Sequence, residues 1–133
     1  EVGSKSTPFE HRSYGDELQR CQRYCYRVDG NANAYLCSVA GYDGNQAIGC
    51  LVFPVTMRNP PTQLITTGTA TDYGVVMGGT VAISTAVPVM NTASNNSSGI
   101  NFFATGSCPD GKAGHGRLLN SAAYLVFHGA SEL

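Results

Sequence analysis

Ala34-Tyr35-Leu36-Cys37-Ser38-Val39-Ala40, then Tyr42-Asp43-Gly44-Asn45, then Gln46-Ala47-Ile48-Gly49-Cys50-Leu51-Val52-Phe53 sets the fold class. Two apolar, β-branched runs flank a compact turn signal, which predicts two strands joined by a tight turn. The pattern repeats downstream. Pro54–Met57, Gln63–Thr67, Gly74–Met77, Thr80–Thr85, Ile100–Thr105 and Ala122–His128 read as strands. Asn59-Pro60-Pro61, Gly78-Gly79, Asn95–Gly99 and Pro109-Asp110-Gly111 separate them. Asn91–Gly99 is expected to be a polar loop and the most mobile segment. Seven to nine short strands predict a mainly β chain over 31–133, a jelly-roll-like antiparallel sandwich.

Upstream the pattern changes. Ser13-x-x-Asp16 resembles a capping box, and Asp16 and Glu17 suit the positive end of a helix dipole. Leu18, Cys21, Cys25 and Val28 follow at spacings of three, four and three. That stripe predicts one short N-terminal α-helix over 13–30, closed by Asp29-Gly30-Asn31. A helix of this length is marginal alone, so its stripe must lie on the β body or against copies of itself. Residues 1–12, with Thr7-Pro8, read as an extended linker from a preceding module.

Composition narrows the function. Ten of the 17 charged residues precede residue 31, and the rest of the chain holds only Asp43, Arg58, Asp72, Asp110, Lys112, Arg117 and Glu132. Overall charge is 13%, about half the usual globular share. A surface so poor in charge predicts self-association. No basic stripe follows the helix, which argues against nucleic-acid binding. No apolar run is long enough to insert across a bilayer.

Five cysteines, Cys21, Cys25, Cys37, Cys50 and Cys108, cannot all pair within one chain. Most read as small buried hydrophobes, Cys21 among them. A Cys37–Cys50 bridge requires those segments to be neighbouring strands. The three histidines form no ligand-spaced pair with cysteines, so neither a metal site nor a cofactor is expected. Asn95-Asn96-Ser97-Ser98 carries two overlapping glycosylation sequons, relevant only in a eukaryotic secretory pathway.

Catalytic patterns are missing from the sequence. There is no G-x-S-x-G elbow, no P-loop, and no paired carboxylates after residue 30. The chain reads as a non-enzyme. Carbohydrate binding asks for less, namely hydrogen-bonding side chains beside an aromatic ring. Tyr42, Asp43, Asn45 and Gln46 supply these in one turn, and Thr71-Asp72-Tyr73 offers a smaller version. The expected ligand site is Tyr42, Asp43, Asn45, Gln46 and Tyr73, with His115 and Arg117 joining from a Gly-rich loop. The alternative is that these are ordinary turn residues.

Glu1-Val2-Gly3-Ser4, Thr7-Pro8-Phe9-Glu10-His11-Arg12-Ser13-Tyr14-Gly15-Asp16-Glu17-Leu18 and Arg20-Cys21-Gln22-Arg23-Tyr24 resemble the junction before the C-terminal domain of phage tail-fibre and receptor-binding proteins. Related surface proteins of large algal viruses carry similar segments. Phe53–Arg58 with Pro61-Thr62, and Ala123–Phe127 closing on Glu132-Leu133, add weaker similarity. Cys25 departs from the pattern, where an aromatic would be expected after Tyr24. The resemblance implies a domain of a longer chain, homotrimeric, on the virion surface or otherwise extracellular, that attaches to a host-surface glycan. The alternative is a structural fibre or capsid-decoration subunit whose only role is self-assembly.

Overall fold

The computed structural model describes residues 13–29 and 31–129. The expected linker over 1–12, the glycine stop at Gly30 and the terminal Glu132-Leu133 lie outside them.

The helix begins where the cap signal places it. Helix α1 spans Tyr14–Gln22, and the Ser13 hydroxyl accepts the Asp16 N–H at 3.2 Å. It ends well before residue 30. Cys25–Asp29 is a strand, β1, which corrects the longer helix. The segment carries two competing periods. Cys25 and Val28 continue the helical stripe, but Tyr26 and Val28 alternate with Cys25, Arg27 and Asp29, as a half-buried strand does. Pairing with the last strand decides in favour of the second. Tyr26 then stacks near Phe127 and meets Phe53 edge-on, with centroids 6.4 and 5.8 Å apart.

Nine strands follow β1: β2 (Tyr35–Gly41), β3 (Gly44–Val52), β4 (Gln63–Thr66), β5 (Tyr73–Met77), β6 (Thr80–Ile83), β7 (Ala86–Ala93), β8 (Ser97–Cys108), β9 (Ala113–Leu118) and β10 (Tyr124–His128). They form a three-stranded sheet, β1-β10-β4, and a seven-stranded sheet, β6-β5-β9-β2-β3-β8-β7, both antiparallel. The pairings are nested: β1 with β10, β2 with β9, β3 with β8, and β5 with β6, while β4 lies beside β7 without a ladder. One long antiparallel ribbon rolled on itself produces that nesting, which is the jelly-roll arrangement.

The core lies between the sheets. β8 runs through it, with Ser98, Ile100, Phe102 and Ala104 facing inward at every second position. Phe127, Tyr73, Leu118 and Leu125 are buried beside them, and Phe53 meets Phe127 with centroids 5.1 Å apart.

Three further segments differ from the sequence reading. Pro54–Met57 is irregular and not a strand. The Gly-rich segment containing His115 and Arg117 is strand β9. The loop expected over Asn91–Gly99 shrinks to Ser94–Asn96, because β7 and β8 run into it from both sides. There the Ser94 hydroxyl accepts the N–H groups of Asn96 and Ser97, and the Asn95 carboxamide donates to the Met57 and Arg58 carbonyls. A sequon asparagine engaged in this way is tied to its neighbours, whereas Asn96 is exposed.

Candidate functional site

Three turns meet at one end of the large sheet. Gly41, the last residue of β2, donates its N–H to the Lys112 carbonyl at 2.8 Å and accepts from the Gly111 N–H at 3.0 Å. Only glycine fits there, since a Cβ on Gly41 would lie 1.8 Å from the Pro109 carbonyl oxygen. The β2–β3 and β8–β9 turns are therefore locked together. Lys112 in turn brings in the β5–β6 turn, its Nζ lying 2.6 Å from where a Gly78 Cβ would stand. Between β6 and the β8–β9 turn is a shallow depression of about 290 Å³, lined by Thr80, Val81, Ile83, Ser107, Pro109 and Lys112 among others.

The Tyr42–Gln46 turn stands at the same end of the sheet, tied to this group through Gly41 and Lys112, though none of its residues lines the depression. The Asp43 carboxylate accepts the N–H groups of Asn45 (3.0 Å) and Gln46 (2.9 Å) and the Gln46 carboxamide (3.2 Å). Such an Asx turn holds the chain where Gly44 takes φ +84°. Asn45 Oδ1 accepts the Gly106 N–H, and Gln46 Oε1 accepts from the Asn101 carboxamide. The polar groups expected to hold a sugar thus build the turn. What remains free is the Tyr42 ring, 61% exposed.

Tyr73 does not join this group. It opens β5 at the end remote from the turns and is fully buried. Its hydroxyl donates to the Tyr124 carbonyl and accepts the Thr67 N–H at 3.1 Å. A ring with no exposed face cannot stack on a ligand, so its assignment to the site is corrected to a core role. Asp72 beside it is bound by the Thr67 hydroxyl and the Asn120 carboxamide.

His115 and Arg117 also stand elsewhere. As alternate residues of β9 they share the outer face of the large sheet, where Arg117 pairs across with Tyr35 and His115 with Ser38. The Arg117 guanidinium carbon is 5.3 Å from the Tyr35 ring centroid, and the His115 ring is 5.0 Å from it. Sequence reading missed Tyr35, because its relation to β9 exists only through strand pairing.

The expected packing stripe divides between two elements. Leu18, 41% exposed, and Cys21, also exposed, lie on α1, which buries none of its residues. Cys25 is exposed on β1, and Val28 packs against the core. Cys21 is therefore not buried against the β body. All five cysteines are free. Cys37 and Cys50 do lie on neighbouring strands, but Cys37 is half-buried while Cys50 points outward. Burial, reinforced by Cys50 nearby, pushes the Cys37 thiol up to about 11, and burial raises Cys108 as well.

Among the described residues no three His, Cys, Asp or Glu side chains gather as metal ligands, and no described helix is long and apolar enough to cross a membrane. No family model, curated protein or solved structure matches this chain.

Proposed function

We propose that this domain is the distal, non-enzymatic attachment module of a viral fibre, exposed on the virion surface, and that it holds a neutral host-surface glycan against Tyr42. The observation that carries this reading is the exposed Tyr42 ring, mounted on a turn that Asp43 makes rigid, at the same end of the large sheet as the depression. An exposed aromatic ring on a backbone held by hydrogen bonds accepts the C–H face of a sugar at less ordering cost than one on an untethered loop. Thr80, Ser107 and Lys112 offer hydrogen bonds within the same depression. The carboxylates of Asp43 and Asp72 are both engaged locally, which leaves them poorly placed to act as a hydrolytic pair.

The module works as a homotrimer. Support comes from α1, which buries no residue on the body and leaves Tyr14 and Leu18 exposed. An amphipathic helix so placed gains its burial from other copies.

A glycan array probed with the oligomeric protein and with Tyr42→Ala tests the reading. The parent is expected to bind neutral glycans, and the variant to bind them about tenfold or more weakly while staying folded. Failure of the parent to bind any neutral glycan would favour the structural-subunit reading. That alternative has its own support in Tyr35, Val52, Val81, Ile83 and Val89, all exposed on the outer face of the large sheet.

A further inference from the structure

Arg117 stands apart from the other described charges of the β body. It is half-buried on the outer face of the large sheet, its Nε is enclosed by protein without an acceptor, and it takes no ion pair or hydrogen bond among the described residues. The guanidinium lies over the Tyr35 ring. A half-buried guanidinium without a counter-ion attracts an oxyanion more strongly than one on a fully solvated surface, because the field is less screened.

The surroundings shape what can approach. Tyr35 is 65% exposed and lies near both Arg117 and His115, which point the same way two residues apart on β9, about 7 Å along the strand. Gly74, opposite Arg117 on β5, has the Leu119 side chain over it, and Ile83 beyond it is exposed and apolar, so the approach to the guanidinium is from the Tyr35 side. The result is an exposed aromatic ring with a cation and an imidazole close to it. A bare anion would use only the cation. A ring that carries an anion uses both, with its C–H face on Tyr35 and its oxyanion on Arg117.

From this geometry we infer that Tyr35, His115 and Arg117 form a second saccharide site, specific for acidic sugars bearing a carboxylate or sulfate. It is separate from the neutral-glycan turn at Tyr42. Arg117 supplies N–H donors from its terminal Nη groups to the oxyanion, Tyr35 the stacking surface, and His115 a hydrogen bond to a ring hydroxyl.

Calorimetric titration of the intact protein with an oligogalacturonate hexamer, a heparin-derived hexasaccharide, maltohexaose and inorganic phosphate tests the assignment. At least one acidic oligosaccharide should bind, with affinity falling as salt rises, and should bind more tightly than maltohexaose or phosphate. The preferred acid identifies whether carboxylate or sulfate is the natural group. Arg117→Gln and Tyr35→Ala should each weaken that binding about tenfold or more, and Tyr42→Ala should leave it unchanged. Tyr35 is exposed, so its variant keeps the test valid if Arg117→Gln fails to fold. Absence of binding by both acidic oligosaccharides overturns the inference, as does parent-like binding in Tyr35→Ala. Phosphate binding as tight as the oligosaccharides rejects the sugar platform. Dissociation of the oligomer by Tyr35→Ala with no change in glycan affinity assigns the face to contacts between copies and also overturns it.

Discussion

Gly41→Ala tests how the turn end is built. The new methyl would sit 1.8 Å from the Pro109 carbonyl oxygen and 2.9 Å from the Cys108 carbonyl oxygen. Both are backbone atoms, so no rotamer change relieves the clash. Ordinary contact begins near 3.4 Å, so the β8–β9 turn must retreat by roughly 1.5 Å. That movement strains or breaks two hydrogen bonds, Gly41 N–H to Lys112 and Gly111 N–H to Gly41. Overpacking costs about 1–3 kcal/mol, and each lost backbone bond about 1 kcal/mol. The expected destabilisation is about 3–5 kcal/mol, or a fall in Tm of roughly 10–20 °C for a domain of this size. Urea unfolding followed by fluorescence measures it, with the midpoint falling and the slope unchanged. Gly15→Ala is the matched control. Nothing stands within 4 Å of that position on α1, so the same substitution should raise stability by about 0.5 kcal/mol. A Gly41→Ala protein within about 1 kcal/mol of the parent would mean that the two turns are not packed together, and the argument for a preformed site at Tyr42 would fall with it.

Other substitutions separate structural roles from binding roles. Tyr73→Phe removes a buried hydroxyl with two partners and should cost about 1–3 kcal/mol in a denaturant titration while leaving glycan binding intact. In the isolated protomer Cys21, Cys25 and Cys50 should alkylate readily at neutral pH, with Cys37 and Cys108 protected, as read by mass spectrometry of digested samples. Protection of Cys21 at concentrations where light scattering gives a trimer would place α1 in the subunit contacts. Cys37 also sets a pH dependence. Its folded thiol is raised from 9.0 to about 11, so the unfolded chain gives up this proton first. Its contribution is fully present below pH 9 and is lost as pH rises through 11, which thermal melts across that window will detect as a falling midpoint.

Local chemistry made much of the fold legible. The Ser13 cap needs only residues three apart, and the helix starts where it predicts. The runs that became β2, β3, β4, β5, β6, β8 and β10 carry their strand signals in neighbouring residues, and the turn at Tyr42–Gln46 was visible in Asp43 and Gly44. Nearly neutral strands at short spacing were enough to specify a sandwich.

Long-range pairing decided the rest. Cys25–Asp29 fits either a helical stripe or an alternating strand, and only the ladder to β10 selects the strand. His115 and Arg117 look like loop residues because Gly114 and Gly116 interrupt any apolar pattern. Those glycines lie inside β9, where a Cβ at either would strike the Met77 sulfur or the Phe102 ring. Tyr73 and Tyr42 both look like turn aromatics in sequence, yet one is sealed in the core and the other stands in solvent. Tyr35 and Arg117 gain their relation from strand register alone. Propensities, caps and turns act over a few residues and can be read in order along the chain. Burial and register depend on which distant segment arrives alongside, and that is settled only when the ribbon rolls up.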